Sequence, residues 1–111
     1  MSRFIPFAAL TAFSLLAAAP AGAARNVTVG DDYFVRSAGV ATVSVNKGAT
    51  VTWKWTGRRQ HNVVATRKGR TRFQSALKRS GSYSRKMTVR GTYRIVCSIH
   101  QPDMRMKLVV K

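Results

Sequence analysis

After residue 24, apolar and polar residues alternate with period two along most of the chain, the spacing that puts successive side chains on opposite faces of a strand. Val27 and Val29 predict a first strand, and Val40 to Val45 a second that ends at Asn46-Lys47-Gly48. The clearest strand follows, with Val51, Trp53 and Trp55 on one face against Thr52 and Lys54 on the other. A polar loop after Gly57 leads into His61-Asn62-Val63-Val64 and then an irregular basic segment, Thr66 to Arg72, in which Arg67 to Arg72 is expected to be a solvated loop. Phe73 to Leu77 is expected to form a short helical turn or a loop packed under Phe73. Ser82 to Val89 alternates again, with Tyr83, Met87 and Val89 on one face, and Arg90-Gly91 makes the next turn. In Thr92 to Cys97, the side chains of Tyr93, Ile95 and Cys97 share a face and point inward, and Arg105 to Val110 is the last strand. Seven or eight short strands without internal repeats predict an all-β sandwich.

Residues 1 to 24 do not share this pattern. A charge at Arg3 is followed by an apolar run, Phe4 to Ala19, and by the small residues Pro20-Ala21-Gly22-Ala23-Ala24. We read 1–24 as a secretory signal peptide cleaved after Ala23 or Ala24, leaving 25–111 as one domain; an uncleaved anchor is the alternative. The expected location is therefore periplasmic or extracellular. Export sharpens the meaning of the cysteine count, because small exported domains often rely on disulfides and this chain has one cysteine. Cys97 must be buried, paired with another molecule, or chemically employed.

Charge narrows the partners. The chain carries 20 Lys and Arg against 3 Asp and Glu, a formal +17, and a field of that size governs encounter. It suits an acidic protein, an anionic membrane or a cell wall polymer. Nucleic acid is not expected, given export and the absence of an RNP-like aromatic pattern or helix-turn-helix signature. Asp31 and Asp32 are expected to make a turn.

The candidate chemistry lies in Cys97-Ser98-Ile99-His100-Gln101-Pro102-Asp103-Met104. Thiolate, imidazole and thioether are the soft and borderline donors that suit copper, and two His, one Cys and a weak Met make the blue-copper set. A cysteine at a strand's end points to the core, and the turn after it can bring His100 and then Met104 around one ion. The second imidazole can come only from His61, since the chain has two histidines. No acid/base dyad or nucleophile arrangement is evident, so an enzyme is not expected.

These residues resemble those of the cupredoxins, the type 1 copper proteins related to plastocyanin, amicyanin and pseudoazurin. The resemblance is carried by His61-Asn62-Val63-Val64, by Gly91-Thr92-Tyr93-x-Ile95-x-Cys97-x-x-His100 and by Met104-Arg105-Met106-Lys107-Leu108-Val109-Val110. Gly30-Asp31-Asp32-Tyr33-Phe34 and Val43-x-Val45-x-Lys47-Gly48-x-Thr50-Val51-x-Trp53 support it. It implies a Greek-key β-sandwich that carries single electrons on one type 1 copper ion. It further implies His61, Cys97 and His100 as strong ligands, Met104 as the weak axial one, and His100 as the ligand nearest the surface. Asn62 is expected to tie the two ligand loops together near Ser98. Met106 stands where many members have glycine, so either methionine can be axial; the spacing from His100 favours Met104. Redox partner proteins are expected, acidic ones given the charge, and the protein is expected to be a monomer. A copper carrier that passes on the ion, and a basic binding module with an incidental site, are the alternatives.

Overall fold

The computed structural model describes residues 23–101 and 103–111. Residues 1–22, which hold nearly all of the expected signal peptide, and Pro102 lie outside the described residues. Nine strands and no helix occur among the described residues: β1 (Ala24–Gly30), β2 (Tyr33–Phe34), β3 (Ala41–Val45), β4 (Thr50–Trp55), β5 (Val64–Arg67), β6 (Arg70–Gln74), β7 (Ser82–Lys86), β8 (Gly91–Val96) and β9 (Arg105–Val110). They form two sheets, one in the order β3-β9-β8-β5-β6 and the other in the order β2-β1-β4-β7. Both contain one parallel pair, β9 with β3 and β1 with β4, among antiparallel neighbours.

The alternation explains why the sheets face each other. Ala41, Val43 and Val45 of β3 are buried while Thr42 and Ser44 are exposed; β4 buries Val51, Trp53 and Trp55. Each sheet thus contributes one apolar face, and the two faces make a single core. Trp53 lies at its centre with Phe73, at a ring-centroid distance of 5.9 Å, and Tyr83, at 6.1 Å.

Three expectations are corrected. The basic segment after Val64 is not a solvated loop: β5 and β6 pair as a hairpin across Lys68-Gly69, both with positive φ. Phe73 is in β6, so the short helical turn or loop at 73–77 is also wrong at its start. Its ring is nonetheless buried, because β6 turns this one residue of its outer end inward. Finally, the strand expected over Ser82 to Val89 stops at Lys86, and Val89 is 48% exposed while Met87 is buried. The backbone of Met87 leaves the ladder to exchange hydrogen bonds with Ala49 and Gly48, which takes Val89 off the core face.

Candidate metal centre

Strand register assembles the site. Val64 of β5 and Arg105 of β9 both stand opposite Val96 of β8, so three chain segments leave one end of the five-stranded sheet side by side. Cys97 follows β8, Met104 precedes β9, and His61 lies three residues before β5. Pairing continues past the strands, with the N–H of Cys97 donating to Met104 O at 3.1 Å. The intervening loop is closed by His100 N donating to Cys97 O at 3.2 Å and Met104 N donating to His100 O at 3.1 Å. These bonds curl His100 back over Cys97.

His61 is fixed from outside the sheet. Its backbone exchanges hydrogen bonds with Lys78 at 2.9 and 3.0 Å, and the indole N–H of Trp55 donates to its carbonyl at 3.1 Å. Its ring, fully buried, turns Nδ1 toward the loop after β8.

The three side chains converge. Nδ1 of His61 and Nδ1 of His100 are 3.2 Å apart, and Cys97 Sγ is 3.4 Å from the latter and 3.9 Å from the former. Among the described residues, His61, Cys97 and His100 form a group that could hold a metal ion, with donor atoms all within 4.8 Å of one another. A first-row ion bonded at about 2.0 Å to nitrogen and about 2.3 Å to sulfur holds its nitrogens about 3.3 Å apart, and nitrogen from sulfur about 3.5 Å, at tetrahedral angles. The two sulfur–nitrogen distances bracket the second value and the nitrogen–nitrogen distance falls just short of the first, so the donors fit an ion with little rearrangement. One thiolate and two imidazoles form a set that suits copper.

Cys97 is fully buried and the His100 side chain is 28% exposed, so one ring alone connects this group to solvent. Met104 is completely buried in the same apolar cluster as Cys97. Met106 is buried too, but within β9, where it stands opposite Ile95 and Ala41. Asn62 bridges the two loops: Ser98 N donates to its Oδ1 at 2.8 Å, and its Nδ2 donates to Ser98 Oγ at 2.9 Å.

A family model for copper-binding proteins of the plastocyanin/azurin family matches residues 33–111. The chain belongs to that family. Solved structures of amicyanin variants are similar to it. A Cu(I) form shares 26% identity at a TM-score of 0.66, covering 79% of this chain and 82% of that one. An oxidized form shares 28% at 0.66, covering 84% and 86%. A reduced Cu(I) form at pH 4 shares 28% at 0.65, covering 79% and 82%. A comparison with curated protein sequences finds no match. This plastocyanin/azurin family member therefore has the cupredoxin fold and copper as its cofactor, and it is an electron-transfer protein rather than an enzyme.

Sequence reasoning missed what stands behind the histidines. Asp31 and Asp32 do form the turn after β1, as expected, but they also reach the site. The Nε2–H of His61 donates to Asp31 Oδ1 at 3.0 Å, and His100 Nε2 lies 3.5 Å from Asp32 Oδ1. The backbone N–H of Arg59, the His61 ring and the backbone N–H of Arg58 hold the Asp31 carboxyl well below the usual aspartate range. A signal was available: these are two of only three acidic residues in a chain of formal charge +17.

Proposed function

We propose that the protein is an exported blue copper protein that carries single electrons outside the cytoplasm, with residues 1–24 as its signal peptide. The observation that carries this reading is the convergence of His61 Nδ1, Cys97 Sγ and His100 Nδ1 at one end of a rigid sandwich. His61, Cys97 and His100 would hold the ion as strong ligands and Met104 as a weak one. Met104 is preferred to Met106 because it lies in the loop beside Cys97, whereas Met106 is committed to the β9 ladder.

Bound copper supplies a one-electron couple between Cu(II) and Cu(I). The chain's own residues supply the rest. Backbone hydrogen bonds on both flanks of His61 and across the 97–104 loop keep the donors in place, so little need move when the charge changes. Asn62, through Ser98, holds one ligand loop against the other. Apolar burial of Cys97 and Met104 keeps water out, and the partly exposed ring of His100 is the route by which electrons enter and leave.

The surplus of positive charge supports an acidic redox partner, or an anionic membrane or wall surface, met by a monomer. Its association rate falls as salt rises; a flat dependence would remove the acidic partner from this reading.

The test is the visible absorption spectrum of the oxidised, copper-loaded mature protein beside Cys97→Ser. A strong thiolate-to-copper charge-transfer band that vanishes in the variant is expected; a folded, copper-exposed protein with no band overturns the type 1 site. Copper retained through repeated redox cycles in the presence of an acceptor chelator distinguishes electron transfer from a copper-carrier role, which requires the ion to be given up.

A further inference from the structure

The turn between β1 and β2 is built to present carboxylate oxygens to the two histidines from behind. Asp31 accepts from the backbone N–H groups of Arg58, at 3.0 and 3.1 Å, and Arg59, at 2.9 Å, and from His61 Nε2 at 3.0 Å. A carboxylate can only accept, so the proton of a neutral His61 ring is on Nε2 and its Nδ1 lone pair is free. That lone pair faces Cys97 and His100.

The approach depends on Gly57, which lies beside Asp31 where β1 and β4 leave their parallel ladder. A Cβ at position 57 would collide with Asp31 Oδ1 and stand 2.9 Å from its backbone nitrogen. Position 57 therefore has to be glycine for the carboxylate to close on the ring. Asp32 is the weaker arm, since it is 53% exposed, lies 3.5 Å from His100 Nε2 and shares its charge with Arg59 at 3.3 Å.

Resting on the copper reading above, we propose that Asp31 is a positioning residue of the metal centre. It fixes the His61 ring with Nδ1 toward the ion, and its negative charge, one imidazole away, favours Cu(II) over Cu(I). The rest of the chain pulls the other way, because a strongly cationic protein disfavours the more positive ion. Locally, the Asp31 carboxylate opposes that bias. Carboxylates behind metal-bound histidines raise ligand basicity, and losing one typically costs 10–100-fold in metal affinity. For a partly exposed group the lower end applies.

Asp31→Asn retains an acceptor oxygen and removes the charge; Asp31→Ala removes both; Gly57→Ala displaces the carboxylate without altering it. In Asp31→Asn, Cu(II) affinity should fall about tenfold with Cu(I) affinity little changed, which raises the reduction potential by about 59 mV. Asp32→Asn should shift the Cu(II)/Cu(I) ratio by much less. In the copper-free protein at mildly alkaline pH, nitrogen-15 NMR should show one His61 tautomer, protonated at Nε2, in wild type and Asp31→Asn. A mixture is expected in Asp31→Ala and Gly57→Ala. A potential unchanged in Asp31→Asn overturns the charge role, and a single tautomer persisting in folded Asp31→Ala overturns the positioning role. The NMR readout needs no metal, so it stands even if the copper reading fails; loss of the charge-transfer band in wild type would mark that separate failure.

Discussion

Removing the bridge between the loop that holds His61 and the loop after Cys97 tests whether Asn62 is structural as well as positional. Asn62→Ala deletes two hydrogen bonds, one accepted from Ser98 N at 2.8 Å and one donated to Ser98 Oγ at 2.9 Å. Asn62 is only 4% exposed, while Ser98 is solvent-exposed and can turn its freed groups to water. The loss should therefore be close to the net value of two hydrogen bonds, about 1 kcal/mol each and about 2 kcal/mol together, without a full penalty for an orphaned donor. For a domain of this size that lowers the melting temperature by about 8–16 °C. Ser98→Ala removes only the hydroxyl contact and should cost about 1 kcal/mol. Asn62→Asp keeps the acceptor for Ser98 N, and the serine hydroxyl can rotate to donate, so it should be milder than alanine. The assay is denaturant unfolding of the copper-free protein for wild type, both single variants and the double variant. Because the variants share one contact, the double should cost about 1 kcal/mol less than the sum of the singles. Strict additivity, or a loss below about 0.5 kcal/mol in Asn62→Ala, would refute the bridge.

Other expectations follow from the same geometry. Phe73→Ala should cost about 3–5 kcal/mol in equilibrium unfolding, since a buried aromatic ring leaves a cavity; a small loss would mean that β6 does not close the core. Gly69→Ala should cost about 1–2 kcal/mol by the same assay, because φ of +75° penalises a Cβ although nothing lies within 4 Å of it. The acid limb of copper-free stability should depend on Asp31. Its folded carboxyl titrates below the usual 3.8, so its stabilisation is complete above that value and is lost as pH falls below about 4. Asp31→Asn should flatten this limb; superimposable pH profiles would show that the carboxylate contributes nothing.

Much of the molecule was legible because its information is local. Alternation around Val43, Trp53, Ile95 and Leu108 predicts strands with one buried face, since the pleat has period two whatever the strand's neighbours. Cys97, His100 and Met104 fall within eight residues, and with two histidines in the chain the fourth candidate could only be His61. The β5–β6 hairpin was hidden because β6 is an edge strand. It pairs on one side and buries little beyond Phe73, so Arg67 to Arg72 carry the polarity of a loop.

The outer shell is a different matter. Asp31 is 30 residues from His61, and nothing local to either distinguishes a turn aspartate from one that grips a buried histidine. The parallel pairing of β1 with β4 brings them together, carrying Gly30 and Trp55 to the same end of the sandwich, with Gly57 making room for the approach. Residue types set the chemistry that is available, because thiolate, imidazole and thioether are the soft and borderline donors that suit copper. Which atoms share that ion, which proton is held where, and which charge lies behind the ring depend on strand register, a long-range property that only the folded chain decides.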